Sequence, residues 1–160
     1  MNSSRETLFA AKAAELSVSF EDEIRAGANY EVAVENGDEI YVSGQIPRVQ
    51  GLIAVTGRVG ETVSLADGRR AAAICALRAV AVLRQALGSL DRVKRILRLT
   101  VYIQSASGFT QQSEVADAAS EILYAIFAPA GGHTRTAVGV YQLPKNAAVE
   151  LDLIAAIHRR

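Results

Sequence analysis

The sequence lacks a second cysteine, and it lacks any excess of charge. With Cys75 alone, no internal disulfide can form, which points to a reducing compartment. Seventeen Lys and Arg residues balance seventeen Asp and Glu residues. Chains that grip a phosphate backbone concentrate basic residues, often interleaved with aromatics, and no such stripe is present. Nucleic acid is therefore not an expected partner. No apolar run approaches the roughly 20 residues of a membrane span, so no membrane partner is expected. The first residues lack the basic, apolar and small-residue order of a secretory leader, and the expectation is a cytoplasmic protein. The two histidines, His133 and His158, stand far apart. With one cysteine they make no metal-ligating constellation, and neither metal nor cofactor is expected.

What is present is a chain of 160 residues, the size of one domain able to bury a substantial core. Residues 4–16 are Ala-rich, with Ser4 as a helix cap and Leu8, Phe9, Lys12 and Ala13 at helical spacing. Tyr30 to Val34 alternates, Asn36-Gly37 turns the chain, and Ile40 to Ser43 resumes an apolar strand. A short strand follows at Leu52 to Val55. The longest helix is expected over Leu65–Leu87, capped by Ser64 and ended by Gly88. Its apolar stripe runs from Ala73 to Leu87, and its arginines Arg69, Arg70, Arg78 and Arg84 read as a solvated face.

Leu97, Leu99, Val101 and Ile103 alternate with Arg98, Thr100, Tyr102 and Gln104, the clearest strand pattern of the chain. A further helix follows Gly108, with Val115, Ala118, Ala119, Ile122 and Ile126 inward. The last strands are expected at Arg135–Tyr141 and Ala148–Ile157, paired across a turn at Pro144-Lys145-Asn146. Strand pairs separated by helices imply an α+β domain with helices on one face of a mixed sheet. No internal linker, repeat or low-complexity segment divides it.

Strand parity assigns the faces. Thr136, Val138 and Val140 join Val149, Leu151 and Leu153 as a set that can cover the helices. Arg135, Ala137, Gly139 and Tyr141 then share the other face with Glu150 and Asp152. With Tyr141 opposite Ala148, Arg135 lies opposite Ile154 and roughly 13 Å from Glu150 along the strands, at about 3.3 Å per residue. That gap suits a small ligand held between a guanidinium and a carboxylate. Tyr141 and Ile154 on the helix-free face favour packing against another subunit over exposure to water.

Three segments carry a family resemblance. Val42-Ser43-Gly44-Gln45-Ile46-Pro47, Leu99-Thr100-Val101-Tyr102, and Arg135 to Lys145 followed by Val149-Glu150-Leu151 resemble, in order and spacing, motifs of the RidA/YjgF family, also called endoribonuclease L-PSP. The similarity runs from Asn29 to Ile157, leaving residues 1–28 as an N-terminal helical extension to a RidA-like domain at 29–160. The resemblance implies a chorismate-mutase-like α+β fold and a homotrimer with clefts between subunits. It also implies hydrolysis of enamine or imine intermediates, such as 2-iminobutanoate, to 2-oxo acids and ammonia.

Arg135 then falls at the position that binds the substrate carboxylate, and Glu150 at the position that moves protons or orients water. Ser43 and Tyr30 fall at cleft-lining positions. The chemistry is consistent: an arginine fork fits a carboxylate, and imine hydrolysis needs an oriented water and one proton-handling group. The sequence departs from the family pattern at Ala28-Asn29, where Gly-Pro is usual. It departs again at His133-Thr134 in place of Pro-Ala, and at Ala137 in place of a cysteine found in some members. Beside the deaminase stands a reading as a non-catalytic binder of small carboxylates; the ribonuclease implied by the family's older name is disfavoured by the charge balance. Read alone, Arg135 is a strand arginine with an ion-pair partner, His133 a loop residue and Cys75 a packed thiol.

Overall fold

The computed structural model describes residues 4–159. The chain forms α1 (Arg5–Glu15), β1 (Ala33–Asn36), β2 (Glu39–Gln45), β3 (Arg48–Val49), β4 (Leu52–Ile53), α2 (Leu65–Leu87), β5 (Val93–Gln104), α3 (Gln112–Phe127), β6 (Thr134–Val140) and β7 (Val149–Ile157). Five strands make one sheet in the order β1-β2-β7-β5-β6, while β3 and β4 form a separate hairpin. β6 runs parallel to β5; the other neighbours are antiparallel. The α+β architecture is the expected one, with α2 and α3 packed together on one face.

The helices end where local chemistry stops them. Ser4 Oγ accepts from the Thr7 N–H at 3.2 Å and Ser64 Oγ from the Asp67 N–H at 3.0 Å, each satisfying a donor the first turn leaves free. Gly88 closes α2 in the left-handed region at φ 79°, where a Cβ would clash with the backbone. Val149, Leu151, Leu153 and Ala155 of β7 and Leu99, Val101 and Ile103 of β5 are buried under the helices.

α2 is not the half-solvated helix that its arginines suggested. It is buried nearly all round, including Ala71, Ala72, Ala76, Ala79 and Ala81. Its polar residues clamp neighbouring chain instead of facing water. Gln85 brackets Ile24, accepting from its N–H at 2.8 Å and donating to its carbonyl at 3.0 Å. Arg84 donates to the Phe20 carbonyl and lies 4.7 Å from the Phe9 ring centroid. Arg70 donates to the Leu16 carbonyl, and Arg69 engages Glu121 at 3.0 Å. An amphipathic pattern cannot distinguish water from backbone carbonyls as the company of a charged face. Cys75, midway along, is fully buried with its thiol 3.6 Å from the Val149 carbonyl.

Two expectations for the C-terminal strands are overturned. β6 and β7 do not pair: β5 lies between them. Arg135 is level with Leu99, which is level with Leu153 rather than Ile154. The assignment of faces along β6 is also inverted. Partners in register share a face, so Arg135, Ala137 and Gly139 follow Leu99, Val101 and Ile103 toward the helices. Thr136, Val138 and Val140 lie on the helix-free face with Arg98, Thr100 and Tyr102, and Arg98 hydrogen-bonds the Thr136 hydroxyl. The reason is space beneath α3. A Cβ on Gly139 would come within 2.6 Å of Ser105 Oγ and 3.0 Å of Gln112 Nε2. No side chain fits at Gly139, so the bulkier Val138 and Val140 are turned outward.

Candidate functional site

The site begins at a fault in the sheet. Between Val42, level with Leu153, and Gln45, level with Leu151, β2 carries one residue more than β7, a bulge that releases Ser43 and Gly44 from regular pairing. Ser43 is held there by its own N–H on the Val32 carbonyl at 2.9 Å and its hydroxyl on the Glu31 carbonyl at 2.6 Å. Glu150, on the helix-free face of β7, lays its carboxylate directly over Gly44. A Cβ at that position would overlap Oε1 and lie 3.1 Å from Cδ. Glycine is required here by close approach, not by a special φ.

Glu150 has neither a cation nor a hydrogen-bond donor at its carboxylate among the described residues. Burial first, and the neighbouring Asp152 second, push its pKa above the usual carboxylate range. Asp152 is also raised by burial, though the Tyr102 hydroxyl, Arg98 and the Thr100 hydroxyl pull it back. Burial and Asp152 together raise the Tyr102 phenol. The open face thus carries two neighbouring acids, one supported by hydroxyls and a guanidinium and one left to itself.

Beside the bulge a groove of about 610 Å³ opens between β2, α2 and the segment 19–28. Gly44, Gln45 and Ile46 line it, as do Arg78, Pro144 and Tyr30. Tyr30 was expected inside a strand; it lies before β1, in a bend, with its side chain half exposed. Gly44 borders both the groove and the Glu150 carboxylate, so Tyr30, Ser43 and Glu150 are gathered around one bulge.

Arg135 is elsewhere. β6 is an edge strand, three strand spacings from β2, or about 14 Å at roughly 4.8 Å per spacing. Its side chain turns toward α3, and Glu150 is on the other face. Nη1 donates to Asp117 Oδ1 at 2.8 Å and to Ser120 Oγ at 3.1 Å, and Nη2 reaches the Ser113 carbonyl at 3.5 Å. Ser120 also meets His133 Nε2 at 3.0 Å, while His133 Nδ1 lies 2.6 Å from the Gly131 carbonyl. A carbonyl can only accept, so Nδ1 carries the proton in the neutral ring and Ser120 donates to Nε2. Asp117, Ser120 and His133 therefore fix the guanidinium.

Sequence reasoning missed these supports. Asp117 and Ser120 share one face of α3 at a three-residue spacing, but nothing in the pattern aims that face at β6. His133 offered a signal: it lies two residues before Arg135, the spacing that puts two strand side chains on one side.

A family model described as "YjgF/chorismate_mutase-like, putative endoribonuclease" matches residues 10–157. Protein TCP17 of Trypanosoma cruzi is 42% identical over 131 residues, covering 81% of this chain and 82% of the relative. The Agrobacterium tumefaciens protein Atu1372, whose function is unknown, superposes with a TM-score of 0.87 at 35% identity, covering 97% of this chain and 96% of that one. A Shewanella oneidensis MR-1 protein carried under the same endoribonuclease name gives 0.87 at 28% identity over 97% of this chain and 100% of that one. The helix-backed mixed sheet and the match along nearly the whole chain agree: the protein belongs to the YjgF/RidA family.

Proposed function

We propose that the protein hydrolyses reactive 2-imino acids and their enamine tautomers, such as 2-iminobutanoate, to 2-oxo acids and ammonia. The reaction takes place in clefts between the subunits of a homotrimer. Arg135 from one subunit holds the substrate carboxylate, and Tyr30, Ser43 and Glu150 of its neighbour supply the rest. The observation that carries this reading is the Glu150 carboxylate, half-buried against Gly44, with no counter-ion among the described residues and with its pKa raised. A carboxyl group held nearer neutrality can take a proton from water and return it to the leaving nitrogen. Water adds to the imine carbon, the C–N bond breaks, and ammonia leaves as the carbonyl forms. No electron is exchanged.

The same geometry supports a shared site. Arg135 is at the β6 edge and the bulge lies near the β1 edge, so one ligand that meets both draws them from two copies of the chain. Val34, Tyr41 and Val138 on the sheet and Tyr141 beside it are exposed apolar side chains that such packing would cover. An endoribonuclease would call for a basic stripe, which the balanced charges do not provide.

The test generates 2-iminobutanoate in place with an amino-acid oxidase and follows its decay as the semicarbazone. Wild type accelerates the loss of the imine, and Arg135→Ala abolishes the acceleration. Equal rates for the two proteins would remove the assignment.

A further inference from the structure

The groove beside Gly44 is built around a guanidinium that no acid among the described residues neutralises. Arg78 enters it from the middle of α2. Its Nε donates to Gln45 Oε1 and its Nη1 to the Arg48 carbonyl, both at 3.0 Å. Gln45 is itself buried, 5% exposed, and locked by its Nε2 on the Ser43 carbonyl at 3.0 Å. The guanidinium is thus fixed by two neutral acceptors, and among the described residues its remaining N–H groups find no protein acceptor and it makes no salt bridge. Burial, then the charge of Arg48, lower its pKa from the ordinary value.

The charge around it is lopsided. Arg25, Arg48, Arg78 and Lys145 line the groove against Asp22 and Glu23, and Glu23 is occupied by Arg25 at 2.6 Å. Arg48 makes no salt bridge among the described residues; it donates only to the Gly51 carbonyl at 3.3 Å. A half-buried guanidinium held rigid, unneutralised and next to a second cation is costly for the empty protein. A carboxylate placed between them removes that cost and gains charge-assisted hydrogen bonds in fork geometry.

We propose that Arg78 and Arg48 hold a second anionic group of the ligand, so that the preferred substrates are imines of acidic amino acids, carrying two carboxylates. This rests on the deaminase reading above. One carboxylate meets Arg135 of a neighbouring subunit, the other enters the Arg78 groove, and the imine carbon lies between them beside Gly44 and Glu150. The hydrolysis balances as before: the C=N bond is replaced by C=O, the water oxygen becomes the carbonyl oxygen, and nitrogen leaves as ammonia.

Two measurements test it, on wild type, Arg78→Gln and Arg78→Lys. The first compares kcat/KM for 2-iminoglutarate and 2-iminobutanoate, each generated by an amino-acid oxidase. The second compares calorimetric binding of the product-like 2-oxoglutarate and 2-oxobutanoate. Wild type is expected to favour the dicarboxylate about tenfold or more in both, the scale of one charged hydrogen-bonding partner. Arg78→Gln brings the ratio toward one, and Arg78→Lys keeps part of it as a point charge without the fork. Arg48→Gln, which leaves α2 intact, lowers the same ratio and covers the case of a misfolded Arg78 variant. A wild-type ratio near one, or a ratio unmoved by the Arg78 and Arg48 changes, overturns the proposal. If imines are hydrolysed with no preference for the second carboxylate, the deaminase reading survives and this one falls. If no imine is hydrolysed but 2-oxoglutarate binds more tightly through Arg78, the catalytic reading falls and the dicarboxylate site stands.

Discussion

The two edges of the sheet hold their charged residues in opposite ways. At the β6 edge the charge of Arg135 is paired and its position braced: Asp117 neutralises it, Ser120 and the Ser113 carbonyl accept from it, and His133 orients Ser120. Around the β2 bulge, among the described residues, Glu150 of the central strand β7 is half-buried without a partner, and Arg78 has neutral partners without an acid. The first arrangement fixes a charge in place; the second leaves charges unsatisfied. Unsatisfied charge in a folded chain costs stability, and such costs are characteristic of places where ligands or chemistry complete the arrangement.

The contrast can be broken most forcefully at Glu150. Glu150→Gln keeps the shape and removes the proton acceptor, so kcat for imine hydrolysis should fall by about 10²–10⁴-fold, the usual worth of a positioned acid–base group, with a much smaller change in KM. The same variant should be more stable at neutral pH. The folded-state pKa of Glu150 is raised, so the protonated form favours folding. That advantage is complete below the unfolded value and is lost as pH rises through the folded one. Melting curves for the two proteins should therefore converge on acidification and separate toward neutrality, with the glutamine variant higher. A variant less stable than wild type at neutral pH would mean that the carboxylate has a counter-ion in the assembled protein. Gly44→Ala comes next in size. Its methyl group must displace the Glu150 carboxylate, so kcat should fall by about 10–100-fold, and the raised limb of the pH–rate profile should move toward the ordinary carboxylate value as Glu150 is pushed into water.

How far these arrangements could be read from the sequence differed by strand. β7 was legible because its two faces differ in kind: Val149, Leu151 and Leu153 against Glu150 and Asp152. β6 was not. Apart from Arg135 its faces carry only small or aliphatic residues and a threonine, and choosing the bulkier set for the core failed because Ser105 and Gln112 leave no room for a side chain at Gly139. Nor could local pattern place β5 between β6 and β7, since strands adjacent in sequence usually pair. Glu150, Ser43, Tyr30 and Arg135 were singled out from motif and parity. Arg78 was passed over because an arginine on a helix is ordinarily solvated, and its tie to Gln45 depends on a bulge that no periodicity reveals.

The smallest expected effects lie on the satisfied edge, where they test whether the supports of Arg135 do more than hold it. Asp117 is about half exposed, at 49% for its side chain, against 24% for Arg135, so solvent screens the pair. Asp117→Asn should cost less than about 1 kcal/mol in folding stability. Ser120→Ala removes the link between Arg135 and His133 without removing a charge, and its effect on stability should be similarly slight. If these residues orient the guanidinium for a substrate carboxylate, each variant should raise KM a few-fold while kcat stays near wild type, because the carboxylate is bound equally in ground and transition states. If KM is unmoved in both variants, Asp117 and Ser120 merely neutralise and pack Arg135, and the contrast between the two edges is one of stability alone.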